Sequence, residues 1–379
     1  MSLDRRDFLK GALTGGALAA GSSLGLSGLS PRSAHAHYTQ AKKKLKILIL
    51  GGTAFLGPAV VYAARRRGHE LTLFNRGHTN PGLFPDIETL IGDRDGQLDP
   101  LKERDWDAVV DTSGYFPRLV KDSARLLADH VGQYAFISTI SVYASFDKPS
   151  TDEDSPVGTI DDPTVEKITE GSYGPLKALC EQAAEKALPG RVTNIRPGLI
   201  VGPRDRSDRF TYWPVRVSKG GEVLAPNSPK DGIQIMDVND LGEWIVYCLE
   251  NKVVGVYNAV SPPGWLDMGG LLDACKRVSG SDASFTWASS KFLEDHEVEG
   301  WSEMTCWMPP EGEYAGFNQV KSESAIRNGL SFRPISETVR DTLDWWRTLP
   351  EERREKMRAG LAAEKEEKVL AAWHEMQKG

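Results

Sequence analysis

A short apolar run that ends in two glycines and passes at once into a helix restricts this chain more than anything else in it. Lys46-Ile47-Leu48-Ile49-Leu50 reads as a strand buried on both faces of a parallel sheet, bounded by Gly51-Gly52. The turn continues as Thr53-Ala54-Phe55-Leu56-Gly57, and helical apolar spacing begins with Val60, Val61 and Ala64. Pro58 near the first turn and Gly68 after Arg65-Arg66-Arg67 suit the two ends of that helix. Glycines in such a turn let the backbone approach a pyrophosphate, and the helix N-terminus offers it unpaired N–H groups. The order therefore predicts an α/β chain: a Rossmann-type doubly wound parallel sheet beginning near Leu45, with a smaller C-terminal substrate-binding lobe. Gly51, Gly52, Thr53, Phe55, Leu56 and Gly57 form the expected dinucleotide cradle. Ala54 stands where the usual pattern has its middle glycine, and its methyl fits if that residue keeps a negative φ.

The next strand, Leu71-Thr72-Leu73-Phe74-Asn75, ends in Asn75-Arg76 rather than in the acid that would hold a ribose 2′-hydroxyl and repel a 2′-phosphate. A guanidinium suits a phosphate, so NADP is favoured over NAD; the alternative is that Arg76 stacks on adenine, which both dinucleotides share. Asp93, after Leu90-Ile91-Gly92, is placed to hold an adenine amino group. Thr112 and Ser113, after Ala108-Val109-Val110-Asp111, border the crevice.

Tyr134-Ala135-Phe136-Ile137-Ser138 reads as a further strand running into Thr139-Ile140-Ser141-Val142-Tyr143. Tyr173-Gly174-Pro175-Leu176-Lys177 then opens a helix that places Tyr173 and Lys177 one turn apart on one face. A phenol titrates near 10 and is a poor acid–base at neutral pH, so a neighbouring ammonium is expected to draw its pKa down. Tyr173 would move the O–H proton while C4 of a nicotinamide gives or takes hydride, and Thr139 or Ser138 would bond the substrate oxygen.

Together, Gly51-Gly52-Thr53-Ala54-Phe55-Leu56-Gly57, Thr139-x-x-Val142-Tyr143 and Tyr173-x-x-x-Lys177 resemble the extended short-chain dehydrogenase/reductase superfamily, most closely its NAD-dependent epimerase/dehydratase branch. Arg196-Pro197-Gly198-Leu199-Ile200-Val201-Gly202-Pro203, the run from Gln234 to Leu241, and Tyr257-Asn258 extend the resemblance over roughly residues 45–348. It implies Thr139, Tyr173 and Lys177 as the catalytic set, with Pro197, Tyr173 and Lys177 also touching the dinucleotide. It also implies that the segment after Pro203 contributes to a substrate pocket over the cofactor. Tyr212 and Trp213 are candidates to stack on a sugar ring, Arg209 and Arg216 to meet an anionic group, and Tyr115 and Ser141 join them as substrate contacts; burial and ion pairing within the segment is the competing expectation. Trp301, Trp307 and Met308 are candidates for a second wall. A homodimer paired through helices is a family expectation.

The ends and the charge set the remaining expectations. Asp4-Arg5-Arg6-Asp7-Phe8-Leu9-Lys10, a glycine- and alanine-rich stretch, and Ala34-His35-Ala36 have the order of a cleavable signal; the paired arginines resemble those read by the twin-arginine export machinery. The glycines make the stretch a poor membrane span, so cleavage after Ala36, a periplasmic or secreted location and no stable membrane insertion are expected. The segments are then a signal at 1–36, a dinucleotide domain at 45–203, and a substrate lobe at 204–348 with returning sheet elements near 234–260. A charged helix at 349–379, with Leu361, Val369, Leu370 and Trp373 apolar, is expected to clamp that lobe.

The net charge is −7, and −9 once the four basic and two acidic residues of the signal are removed. Such a chain has no electrostatic reason to seek nucleic acid. Cys180, Cys248, Cys275 and Cys306 form no C-x-x-C pair; they are expected to be buried thiols, and no metal is expected. Outside the cytoplasm no nicotinamide pool would replace a spent cofactor. The favoured function is therefore an epimerase, dehydratase or oxidoreductase acting on a sugar or related hydroxy/keto compound with a tightly retained dinucleotide. The alternative is a dinucleotide-binding sensor or nucleic-acid-binding relative of the same fold, without turnover.

Overall fold

The computed structural model describes residue 41 and residues 43–378. The expected export signal lies outside the described residues. The central sheet is built from β1 (Lys46–Leu50), β2 (Glu70–Asn75), β3 (Glu88–Ile91), β4 (Trp106–Asp111), β5 (Val131–Ile137), β6 (Val192–Pro197) and β11 (Gly255–Ala259). Its order is β11-β6-β5-β4-β1-β2-β3 and every neighbouring pair is parallel. This is the Rossmann-type α/β sheet expected from the sequence, with the reversal of strand order between β1 and β4.

The alternation of side chains along β1 decides which helices lie where. Ile47 and Ile49 pack with Val60 and Val61 of α1 (Leu56–Arg66) and with Leu241 and Ile245 of α4 (Val238–Glu250). Leu48 and Leu50 face the other way, toward Val120 of α2 (Pro117–Leu127) and Ala184 of α3 (Glu170–Ala187). Both faces of the strand are thereby covered, which is why it carries an unbroken apolar run. Gly68, at φ +83°, ends α1, and Gly68 N–H donates to Arg65 O at 3.0 Å.

The remaining strands belong to a second body: β7 (Leu199–Val201), β8 (Glu222–Pro226), β9 (Gly232–Ile233), β10 (Ile235–Asp237), β12 (Leu266–Asp267) and β13 (Ser284–Ala288). They form two-stranded pairs, β7 with β10 and β8 with β13 in parallel, and β9 with β12 antiparallel. Its core includes Phe210, Trp213, Leu224, Leu271 and Trp307.

The chain's last residues hold this body shut. Helix Ala363–Lys378 contributes Val369 and Leu370 to the core, and its Glu366 is almost fully buried. Glu366 accepts from Arg216 Nε at 2.6 Å and from the Leu224 amide at 3.0 Å. Arg353 Nη2 reaches both Asp208 oxygens, at 2.6 and 2.7 Å. All four cysteines are free and buried. Among the described residues no helix is long and apolar enough to cross a membrane.

Candidate functional site

The glycine turn leaves β1 at the carboxyl edge of the sheet, beside the reversal of strand order, where open α/β sheets bind their ligands. Gly51 and Gly52 have φ of +111° and +97°. A Cβ on Gly52 would stand 2.8 Å from Leu73, and one on Gly57 would stand 2.5 Å from the backbone of Gly52. The turn therefore tolerates no side chain at these places and presents bare backbone to the crevice. Ala54 is exposed and keeps a negative φ, so its methyl points away and costs nothing. Phe55 precedes α1 with no side chain capping the helix, and no acid stands in the first turn. A cradle with uncapped N–H groups and no competing carboxylate fits a dinucleotide pyrophosphate.

Asn75 braces the cradle, since its Nδ2 donates to Gly51 O at 3.0 Å and its Oδ1 accepts from the Gly77 amide at 2.9 Å. Arg76 is largely exposed at the rim, with Nη1 3.8 Å from Asp93 Oδ2. The two groups expected at opposite ends of the adenosine thus face each other, and Asp93 also accepts from the Asp95 amide. Thr112 and Ser113 turn their hydroxyls onto Leu50 O, at 2.9 and 3.3 Å, which ties β4 to β1. Pro197 is buried at the end of β6. Below them Asp111 is fully buried, bonded to both Arg94 Nη groups at 2.8 and 2.9 Å and to the Tyr134 hydroxyl at 2.7 Å.

Thr139, Tyr173 and Lys177 come together at the end of β5. Thr139 opens a 3-10 turn (Ile140–Val142), with Oγ1 accepting from the Ser141 amide and donating to Ser141 Oγ, both at 3.1 Å. The Tyr173 hydroxyl lies near enough to Thr139 for that side chain to favour its phenolate. Ser138 Oγ is buried without a partner. Lys177 Nζ donates to Gly114 O at 2.7 Å and Ile137 O at 2.6 Å, and lies 4.2 Å from the centre of the Phe136 ring. The exposed Tyr115 ring is 5.5 Å from the same nitrogen.

This geometry corrects one expectation. The Tyr173 phenol is not drawn down by Lys177: burial pushes it above its ordinary value, Tyr115 adds to the rise, and Thr139 only partly offsets it. The ammonium is held by two carbonyls instead of being aimed at the phenol.

Burial draws the Lys177 ammonium itself down from 10.5 to about 8, against the opposing pull of Cys180 and Asp111. Between about 8 and 10.5 the unfolded chain holds a proton that the folded one has released. The stability of the protein without dinucleotide therefore rises with pH across that window. Dinucleotide binding is expected to move the opposite way, because the charge of the lysine expected to hold a ribose is lost. Titrating affinity from pH 6 to 10 is expected to show a plateau and then a decline above about 8, which is absent in Lys177→Met.

Gly174 is a site residue that pattern reading missed. A Cβ there would overlap the Ser141 carbonyl oxygen, so only glycine lets α3, which carries Tyr173, approach the 3-10 turn that Thr139 opens. Gly174→Ala is expected to lower kcat by about tenfold or more while leaving dinucleotide binding near wild type, in keeping with the cost of a misplacement near 1 Å. Single-turnover kinetics and dinucleotide titration on the same preparation separate the two effects. The signal lay in the sequence only as one glycine inside a helix.

The structure divides the substrate candidates. Ser141 and Tyr115 line the catalytic recess. Arg209 is close enough for its charge to act on the Tyr173 phenol. Tyr212, Trp213 and Arg216 do not: Trp213 is fully buried with Nε1 donating to Thr305 O at 2.6 Å, and Tyr212 is buried against Gly360. Arg216 is paired with Glu366. Trp301 lies under Arg209, whereas Trp307 and Met308 pack into the core of the second body.

Arg196, Tyr143 and Asn258, three residues of the recurring motifs, meet in one buried network rather than in the recess. Arg196 pairs with Glu181 at 2.7 Å and donates to the Tyr143 hydroxyl at 3.1 Å, which donates to Asn258 Oδ1 at 2.6 Å.

Comparison with known proteins agrees with this architecture. The model of the NAD dependent epimerase/dehydratase family matches residues 47–259. The chloroplast stem-loop binding protein of 41 kDa b of Arabidopsis thaliana is 28% identical over 262 residues, 64% of this chain and 65% of that protein, just under two thirds of its length. Mouse epimerase family protein SDR39U1 is 28% identical over 242 residues, 58% of this chain and 75% of its own.

Among solved structures, Bordetella bronchiseptica WbmH in complex with NAD+ superposes with a TM-score of 0.59 at 16% identity, covering 81% of this chain and 99% of that one. Human SDR39U1 with NADPH does so at 0.53 and 20% identity, covering 79% and 99%. At such identities the likeness is one of fold.

Proposed function

The chain belongs to the NAD dependent epimerase/dehydratase family, and from that premise we propose that it is an exported NAD(P)-dependent enzyme acting on a sugar or related hydroxy/keto compound with a dinucleotide it retains. The observation that carries the reading is the grouping of Tyr173, Thr139 and Lys177 at the mouth of a bare glycine cradle. When bound, the nicotinamide dinucleotide supplies the hydride acceptor and donor.

The chain's own residues do the rest. The cradle and the N-terminus of α1 hold the pyrophosphate. Lys177, positioned by Gly114 O and Ile137 O, offers its remaining N–H to the nicotinamide-side ribose. Thr139 and Ser141 hold the substrate oxygen, and Tyr173 gives its phenolic proton to that oxygen or takes it back. Because burial keeps the phenol protonated at neutral pH, Tyr173 is poised to act first as an acid.

NADP remains the favoured dinucleotide on the strength of Arg76, although Asp93 beside it claims part of that charge. The related folds carry either form, NAD+ in WbmH and NADPH in human SDR39U1. Export rests on the N-terminal sequence, and retention follows from it: hydride that leaves and returns within one cycle needs no external pool.

Denaturing protein purified from the exported fraction without added dinucleotide, and identifying what is released by mass spectrometry, tests this. About one NADP or NAD per chain supports it, whereas an empty site of weak affinity overturns retention. The likeness to a chloroplast stem-loop binding protein favours a second reading, a dinucleotide binder that holds RNA. A net charge of −7 opposes it, and Tyr173→Phe separates the two, since a pure binder has no use for that hydroxyl.

A further inference from the structure

Among the described residues, six arginines of the interior are bonded to carboxylates or carbonyls, and Arg209 is not. Arg67 has Glu243 and Glu250, Arg94 has Asp111, Arg196 has Glu181, Arg216 has Glu366 and Arg333 has Asp240. Arg191 donates to the carbonyls of Ala128 and Val131. Arg209 differs. Its Nε donates to Ser207 Oγ at 3.1 Å, and its guanidinium lies over the Trp301 ring at 5.1 Å from the centroid. The nearby acids make no direct hydrogen bond to it: Asp205, whose charge is felt by Arg209, accepts from the Ser207 amide and hydroxyl at 2.8 Å, and Asp208 holds Arg353 and the Arg358 amide. No hydrogen bond is made by the Nη groups of Arg209 among the described residues, its charge acts on Tyr173, and burial draws its titration down. An enclosed cation with no carboxylate bonded to its fork is incompletely compensated, and a ligand that brings an anion onto that fork relieves the cost.

We propose that Arg209 is the anion-binding residue of the substrate site, and that the substrate carries a carboxylate or phosphate near the hydroxyl or carbonyl that reacts at Tyr173. Resting on the reading of an enzyme for hydroxy/keto compounds, this narrows it from sugars in general to acidic ones. The planar fork donates to two oxygens side by side, and the indole beneath it fixes the plane of that fork. The same cation lies close enough to ease ionisation of the Tyr173 phenol until the substrate's anion neutralises it, so binding and proton transfer are joined at one residue.

The test uses the protein as purified, with its dinucleotide content measured on every sample. Binding of D-glucuronate, D-glucose 6-phosphate and D-glucose is compared by calorimetry at low ionic strength for wild type, Arg209→Met and Arg209→Lys. The expected result is at least about tenfold tighter binding of one charged probe over glucose, lost in Arg209→Met and partly kept in Arg209→Lys. Which charged probe is preferred tells a carboxylate from a phosphate. Equal binding of all three probes, or a preference that survives in Arg209→Met, overturns the proposal. An absent dinucleotide alongside an intact charged preference would count against the retained-cofactor reading and leave the anion site standing.

Discussion

Replacing Tyr173 by Phe is expected to lower turnover by about 10²- to 10⁴-fold, the span usually contributed by a positioned proton donor or acceptor. Fold and dinucleotide content should be unchanged. The substitution removes one hydroxyl from a half-buried ring near Thr139. Thr139 keeps Ser141 Oγ as a partner, so little stability is at stake.

The pH dependence sharpens the prediction. Burial raises the Tyr173 phenol, so ketone reduction, which consumes its proton, should be nearly flat through neutral pH. Alcohol oxidation needs the phenolate and should speed up as pH rises. The decline expected from Lys177 above about 8 then gives the oxidative direction a maximum. Steady-state rates in both directions from pH 6 to 10 check this, and a Tyr173→Phe protein that turns over normally would remove Tyr173 from the chemistry. A protein that only binds dinucleotide or RNA should not respond to the loss of this hydroxyl.

Arg196→Ala carries the largest expected loss of stability, about 3–5 kcal/mol, because it strands a carboxylate in the interior. The Arg196 and Glu181 side chains are only 6% and 7% exposed, and their forks meet at 3.0 and 2.7 Å. Arg196 also donates to the Tyr143 hydroxyl, which burial holds up near 12, and to Glu153 O. Removing it loosens the connection between α3, which carries Tyr173 and Lys177, and the turn that carries Thr139. Chemical denaturation should therefore show a reduced midpoint, with kcat falling in the protein that remains folded. Arg196→Met combined with Glu181→Leu should recover much of the stability, since no charge is then left unpaired. If the single and double variants were equally unstable, the loss would come from packing rather than from the stranded carboxylate.

The motif-bearing segments therefore divide into two physical classes. Thr139, Tyr173 and Lys177 face the recess. Tyr143, Glu181, Arg196 and Asn258 form the polar brace behind it, where each buried donor must find an acceptor. An unmatched member of the brace strands a buried polar or charged group, which is costly.

How far the site was legible follows the range of the interactions that set it. Local pattern sufficed for β1, the glycine turn, α1 and the one-turn spacing of Tyr173 and Lys177. These depend on backbone sterics and helical period, which neighbours in the chain decide. The parallel sheet followed from the same pattern, since an apolar run with no polar alternation must be covered on both faces.

The side chains between Arg204 and Arg216 took their roles from the folded chain instead. Trp213 meets Thr305, 92 residues away, and Arg216 meets Glu366, 150 residues away. Aromatic and basic residues in a loop serve a core or a ligand equally well until such partners are known. Lys177 shows the same rule at short range: helical spacing placed it beside Tyr173, but the carbonyls of Gly114 and Ile137, from two other segments, set where its charge points. Arg209 became distinguishable from Arg216 only once the chain had folded, because distant residues give Arg216 its carboxylate and leave Arg209 over an indole.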